Sequence, residues 1–170
     1  FSKLTSFIKK IMIYFNNVSK IYSDDCVALA DITLAVKPKE FVSIVGHSGA
    51  GKTTLIKMIL AEEKPSEGKV FFESVDINSL KKRQMNHIRR RIGTIFQDFR
   101  LLPNKTSYEN IAFAMEAAGR SEEEIESDVP HVLELVGLGK KIWSFPHELS
   151  GGEKQRVAIA RAIVNQPDIF

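Results

Sequence analysis

The stretch GHSGAGKT, Gly46 to Thr53, sets two glycines, a lysine and a hydroxyl side chain at the fixed positions of G-x-x-x-x-G-K-[ST]. The spacing has a chemical reason. Glycines let successive backbone N–H groups fold around an anion with no Cβ in the way, and the helix that follows adds its positive N-terminus. Lys52 is then placed to reach the β- and γ-phosphates of a nucleotide, and the Thr53 hydroxyl to ligate Mg²⁺. Gly46, His47, Ser48, Gly49, Ala50, Gly51, Lys52, Thr53 and Thr54 form the candidate nucleotide loop.

A second pattern, LSGGEKQR, begins at Leu149. Ser150 and Glu153 stand three apart, as an S-x-x-E capping box requires. Gly151 and Gly152 leave the first-turn amides uncovered, which makes a second helix terminus able to receive a phosphate. Capping alone does not call for two glycines, because they cost helix stability. Leu149, Ser150, Gly151, Gly152, Glu153 and Gln155 are the candidate residues here.

Both patterns need elements to hold them. FVSIVG (41–46) is a short continuous apolar run, as expected of a strand buried on both faces, and it feeds the first loop. KTTLIKMILAEE follows as a helix with Leu55, Ile56, Ile59 and Leu60 on one face. Residues 12–22 and 28–36 read as strands ended by Pro38, 68–77 and 92–97 as two more, and 80–91 as a charged helix. The pattern is helical from Thr106 to about Val136, stopped once by Gly119 and reopened by Ser121 with Glu124 as a capping box. Pro130 predicts a kink or break within that second run. The last helix begins near Ser150 and stops before Pro167. Strands alternating with helices argue for an α/β core, with an antiparallel contribution from the early strands and a helical insert at about 98–148.

The composition is that of an ordinary globular domain: 170 residues, 44% hydrophobic and 26% charged, with a net charge of +3. That excess is too small to specify nucleic acid or membrane as a partner. Cys26 is the only cysteine, so no internal disulfide can form and a reducing compartment is expected. No apolar run approaches the ~18–20 residues that span a bilayer, and the N-terminus lacks the marks of a signal peptide. Residues 1–11 read as an extension, which could be natural, an alternative start or a tag remnant.

With these residues in view, a resemblance is plain. LSGGEKQRVAIARAI resembles the signature of ABC (ATP-binding cassette) ATPases, and GHSGAGKTT resembles their Walker A, in the same order along the chain. Tyr22 in VSKIY matches the aromatic on which adenine stacks. Gln97 in TIFQDFRLLP matches the Q-loop glutamine, which in the family touches Mg²⁺ and senses the membrane partner. The resemblance covers residues 12–170. It implies a P-loop NTPase core with an antiparallel β subdomain and a helical subdomain, with Lys52 and Gln97 as catalytic residues and Thr53 and Gln97 at the metal.

It further implies ATP and Mg²⁺ as cofactors and a head-to-tail homodimer, in which the signature of one subunit closes over the ATP of the other. FQDFRLLPNKTSYENIAFAME points within the family to the bacterial cell-division branch. That branch acts peripherally on the cytoplasmic membrane face, at the division site, with a permease-like membrane partner. Lipoprotein-release and macrolide-export ATPases are the alternative. A nucleic-acid-linked cassette is the third reading, offered by KKR (81–83) and RRR (89–91), though basic helix faces are commonly just solvated and no nucleic acid is expected. In the family, the strand opening PDIF continues into a Walker B aspartate and a catalytic glutamate, followed by a switch histidine. His47, His87, His131 and His147 all precede the signature, so none fits that last position. Residues 1–170 alone are therefore expected to bind ATP without hydrolysing it.

Overall fold

The computed structural model describes residues 11–23 and 25–170, so the first ten residues of the expected extension lie outside the described residues. The chain forms two compact units divided between Ile88 and Arg89.

The first unit is built on an antiparallel sheet of four strands, β1 (Ile13–Ser23), β2 (Cys26–Val36), β3 (Glu67–Phe72) and β4 (Val75–Asp76), in the order β2-β1-β3-β4. Phe15 pairs with Leu34 on one side and Val70 on the other, and Phe15, Val18 and Val70 are completely buried. Strict alternation would have put Asn17 in the core. The register instead shifts between Phe15 and Val18, with Asn17 in the left-handed region at φ 49, so the apolar Val18 turns inward. Its neighbour across the sheet must be glycine: Gly68 has φ +79, and a Cβ there would stand 2.1 Å from the Asn17 carbonyl.

Three expectations for this unit need correction. The run 68–77 is two strands, because the chain reverses at Glu73 and Ser74 so that Phe72 pairs with Val75. Helix α1 (Lys52–Ile59) buries Leu55 and Met58, with Leu60 at its end, whereas Ile56 is 42% exposed. The buried side of α1 therefore lies along 55–58, not 55–56–59–60. Residues 41–46 form no strand, and Phe41 and Val45 are almost fully exposed. A doubly buried strand needs a ladder partner at each edge, and none of the described residues pairs with this run.

Helix α2 (Lys82–Arg90) ends where the second unit begins. In that unit the expected strand 92–97 is reduced to a parallel bridge of Ile92 with Ile169, closed by Gly93 N–H donating to the Ile169 carbonyl at 2.8 Å. Helices α3 (Ser107–Ala118), α4 (Glu122–Leu135) and α5 (Gly151–Ile163) surround a core of Ile111, Met115, Val129, Leu133, Leu138, Val157 and Ala160. Of the expected kink or break at Pro130, the break does not occur, and helix α4 runs continuously through it. Proline removes one bond to the carbonyl four residues back, and Glu126, which carries that carbonyl, is exposed to water.

One buried polar residue organises the entry to α3. Asn110 is wholly buried; its Oδ1 accepts from Leu102 N–H at 2.7 Å, and its Nδ2 donates to the carbonyls of Leu102, Lys105 and Thr106 at 3.2, 2.9 and 2.9 Å. Asn110→Ala should lower stability by about 2–3 kcal/mol, because it strands buried and part-buried backbone groups rather than merely deleting contacts. Urea unfolding that left the midpoint unchanged would show that the loop has other support.

Candidate functional site

The first unit carries Tyr22 and Gly46–Thr54; the second carries Gln97 and Leu149–Gln155.

In the first, Ala50 N–H closes back on the His47 carbonyl at 3.2 Å, and α1 then begins at Lys52. The N-cap is Gly51, at φ +81, with no side-chain cap bond and no acidic residue in the first turn. Gly51 is required here, since a Cβ would meet the Ala28 carbonyl at 2.3 Å and Leu29 Cδ2 at 2.8 Å. The consequence is electrostatic: the first-turn amides of α1 carry their partial positive charge with no side chain neutralising it. Lys52 Nζ adds a full charge over the loop, donating to the carbonyls of Gly46 at 2.8 Å and His47 at 2.7 Å. His47 Nδ1 lies 2.7 Å from the Ser48 carbonyl. Thr53 is exposed in the first turn. Tyr22, near the end of β1, is half-exposed, and the Lys20 ammonium sits 4.9 Å from its ring centroid.

Helix α5 is closed differently. Ser150 Oγ accepts from Glu153 N–H at 3.3 Å, and Glu153 Oε2 accepts from Ser150 N–H at 2.8 Å, which is the capping box the spacing predicts. The Ser150 amide is the main cause that holds the Glu153 carboxyl below its ordinary range, with the Ser150 hydroxyl next. A depressed folded-state value means that the stabilisation is present at neutral pH and is lost only as pH falls through that value. Leu149 is buried and anchors the cap; Gln155 is exposed. A Cβ on Gly151 would meet nothing within 4 Å, and one on Gly152 only the tip of Arg156 at 3.8 Å. Among the described residues, no steric contact requires glycine at either place.

Gln97 is exposed and follows the bridge residue Ile92 by five positions. Two groups that sequence reasoning missed lie nearby in the second unit. Thr106 and Glu109 make a capping box at α3, a T-x-x-E spacing that was there to be read. Arg161 donates from Nη1 to the Arg100 carbonyl and from Nη2 to the Phe99 carbonyl, both at 2.7 Å. Burial lowers its pKa from the ordinary guanidinium value. No local signal announces that pairing, because its acceptors are backbone atoms about sixty residues away.

Among the described residues no three His, Cys, Asp or Glu side chains converge to hold a metal by themselves. Thr53 in the first unit offers a hydroxyl and Gln97 in the second an amide oxygen, each a hard donor of the kind Mg²⁺ takes. No helix among the described residues is long and apolar enough to cross a membrane.

Comparison with known proteins identifies the family. The ABC transporter family model matches residues 29–170. The cell division ATP-binding protein FtsE of Bacillus subtilis is 48% identical over 158 residues, which is 93% of this chain and 69% of that protein. FtsE of Escherichia coli K12 is 48% identical over 159 residues, covering 94% and 72%. Among solved structures, the ATP-binding cassette MJ0796, a dimer in a post-hydrolysis state bound to ADP and Pi, superposes with a TM-score of 0.83 at 37% identity. The match covers 92% of this chain and 71% of that one. The glycine-lined loop, the capped signature helix and these matches together place the chain in the ABC transporter family of ATP-binding cassettes.

Proposed function

We propose that the chain belongs to the ATP-binding subunit of a membrane ABC complex in bacterial cell division, a subunit whose parent protein hydrolyses ATP. It would act as a homodimer on the cytoplasmic face of the inner membrane, at the division site, with an FtsX-like permease-type partner. In this reading residues 12–170 belong to one cassette domain with a helical insert at about 98–148. The observation that carries it is the empty surround of Gly151 and Gly152. Two glycines at a helix start cost stability, and none of the described residues crowds them, so in this reading they serve a group arriving from outside. A nucleotide γ-phosphate held on the Walker A loop of a second copy fits that place.

Each residue then has a task. The loop amides and Lys52 bind the phosphates, Tyr22 stacks on adenine, and Ser150 to Gly152 receive the partner's γ-phosphate. Thr53 and Gln97 would hold Mg²⁺, which when bound neutralises charge on the phosphates. ATP favours the closed dimer because its terminal phosphate supplies the charge that both anion sites lack, and phosphate release loosens it.

The membrane partner decides the branch. Purifying the full-length protein from bacterial membranes should bring down an FtsX-like protein; an import, lipoprotein-release or export permease in its place would refute the cell-division assignment. Tyr22→Ala should weaken ATP by roughly 5- to 100-fold, the range of a lost base–aromatic stack, while leaving inorganic triphosphate binding unchanged. Equal losses for both ligands, measured by calorimetry, would make Tyr22 a packing residue.

A further inference from the structure

The backbone just beyond Gln97 is held in an unusual shape. Phe99 and Arg100, neither of them glycine, stand consecutively in the left-handed region at φ 59 and φ 45. Such conformations are costly for residues with a Cβ and persist only where the surroundings over-determine them. The turn is closed locally by Phe99 N–H to the Phe96 carbonyl at 3.0 Å and Arg100 N–H to the Asp98 carbonyl at 2.7 Å. The Arg100 guanidinium lies 3.9 Å from the Phe96 ring centroid. Those contacts use the amides and a side chain. The two carbonyls of the left-handed pair are taken by Arg161, one by each arm of its fork.

Arg161 belongs to α5, the helix whose first turn is Gly151–Gly152. Among the described residues its charge meets no carboxylate; its two short bonds go to successive carbonyls of the turn. A planar fork with two fixed donors suits that arrangement, and a lysine, with one nitrogen, cannot reproduce it. We infer that Arg161 is a positioning residue that fixes the left-handed turn behind Gln97 to the signature helix, so that the Gln97 amide and the Ser150 terminus are set by one helix. The inference rests on the role proposed for Gln97. It adds that a shift of α5 is passed to the Gln97 segment through two hydrogen bonds.

The test uses the full-length protein. Arg161→Met keeps the side-chain stem, so α5 should stay packed. Hydrogen exchange at the Phe99 and Arg100 amides should rise about tenfold, exchange at residues 157–160 should not change, and ATP turnover should fall about tenfold. Arg161→Lys should behave like Arg161→Met. Adding Arg100→Gly, which removes the left-handed penalty at that position, should restore turnover at least threefold in the Arg161→Met background. If exchange rises equally along α5, or if the glycine gives no rescue, Arg161 is only a packing residue and the inference fails. Gln97→Ala separates the two ideas. Loss of turnover with normal exchange at the turn is the expected result. Normal turnover would overturn the role of Gln97 while leaving the exchange result for Arg161 to stand or fall by itself.

Discussion

Lys52→Ala is expected to lower ATP affinity by about a hundredfold. The Lys52 ammonium has three protons, and two are directed to the carbonyls of Gly46 and His47, which leaves the third for a phosphate oxygen. Two effects add in the variant. The charge-assisted bond to the phosphate is lost, and so are the two bonds that hold the loop closed around the anion position. A loss of about 3 kcal/mol follows from bonds of that class, and every 1.4 kcal/mol is tenfold in affinity. Calorimetry on the parent and the variant measures it directly. An unchanged Kd would mean that the loop binds through its amides alone and that Lys52 has another task.

Gly151→Asp separates folding from assembly. Gly151 is the first residue of α5, its φ is not in the left-handed region, and a Cβ there has open space. Replacing glycine in a helix removes a penalty of about 0.5–1 kcal/mol, and a carboxylate in a first turn adds about 0.3–1 kcal/mol of favourable interaction with the helix dipole. The melting temperature should therefore stay level or rise. ATP-driven dimerisation of the full-length protein should fall by more than a hundredfold, because the new carboxylate meets the γ-phosphate with like charge. Light scattering in a hydrolysis-dead background reads the dimer, and normal dimers there would refute the role of this terminus toward a second subunit.

Much of this site is local in sequence, and that is why it could be read. A phosphate loop and a capping box are set by residues three to seven positions apart, so Gly46–Thr53 and Ser150–Glu153 carry their own pattern. The misreadings share a different cause. Residues 41–46 and 92–97 are apolar enough for strands, but pairing is decided by other segments, and only the Ile92–Ile169 bridge forms. The turn at Glu73 and the inward swing of Val18 each depend on one residue adopting left-handed backbone without being glycine. Asn110 and Arg161 bind backbone atoms, which have no letter in the sequence.

Helix α1 differs from α3, α4 and α5 in one respect: each of those is closed by a Ser or Thr with a Glu three positions on, whereas α1 starts at a glycine with no side-chain cap. No capping side chain could be added at Gly51, since its Cβ would strike Ala28. A bound triphosphate would complete this helix, and any ligand that binds only the folded state raises stability by RT ln(1 + [L]/Kd), about 2.7 kcal/mol at a hundred times Kd. Protection of α1 against unfolding and proteolysis should therefore rise with the logarithm of the ATP concentration above Kd. The same glycine that denies this helix a cap of its own thus makes its stability conditional on what binds there.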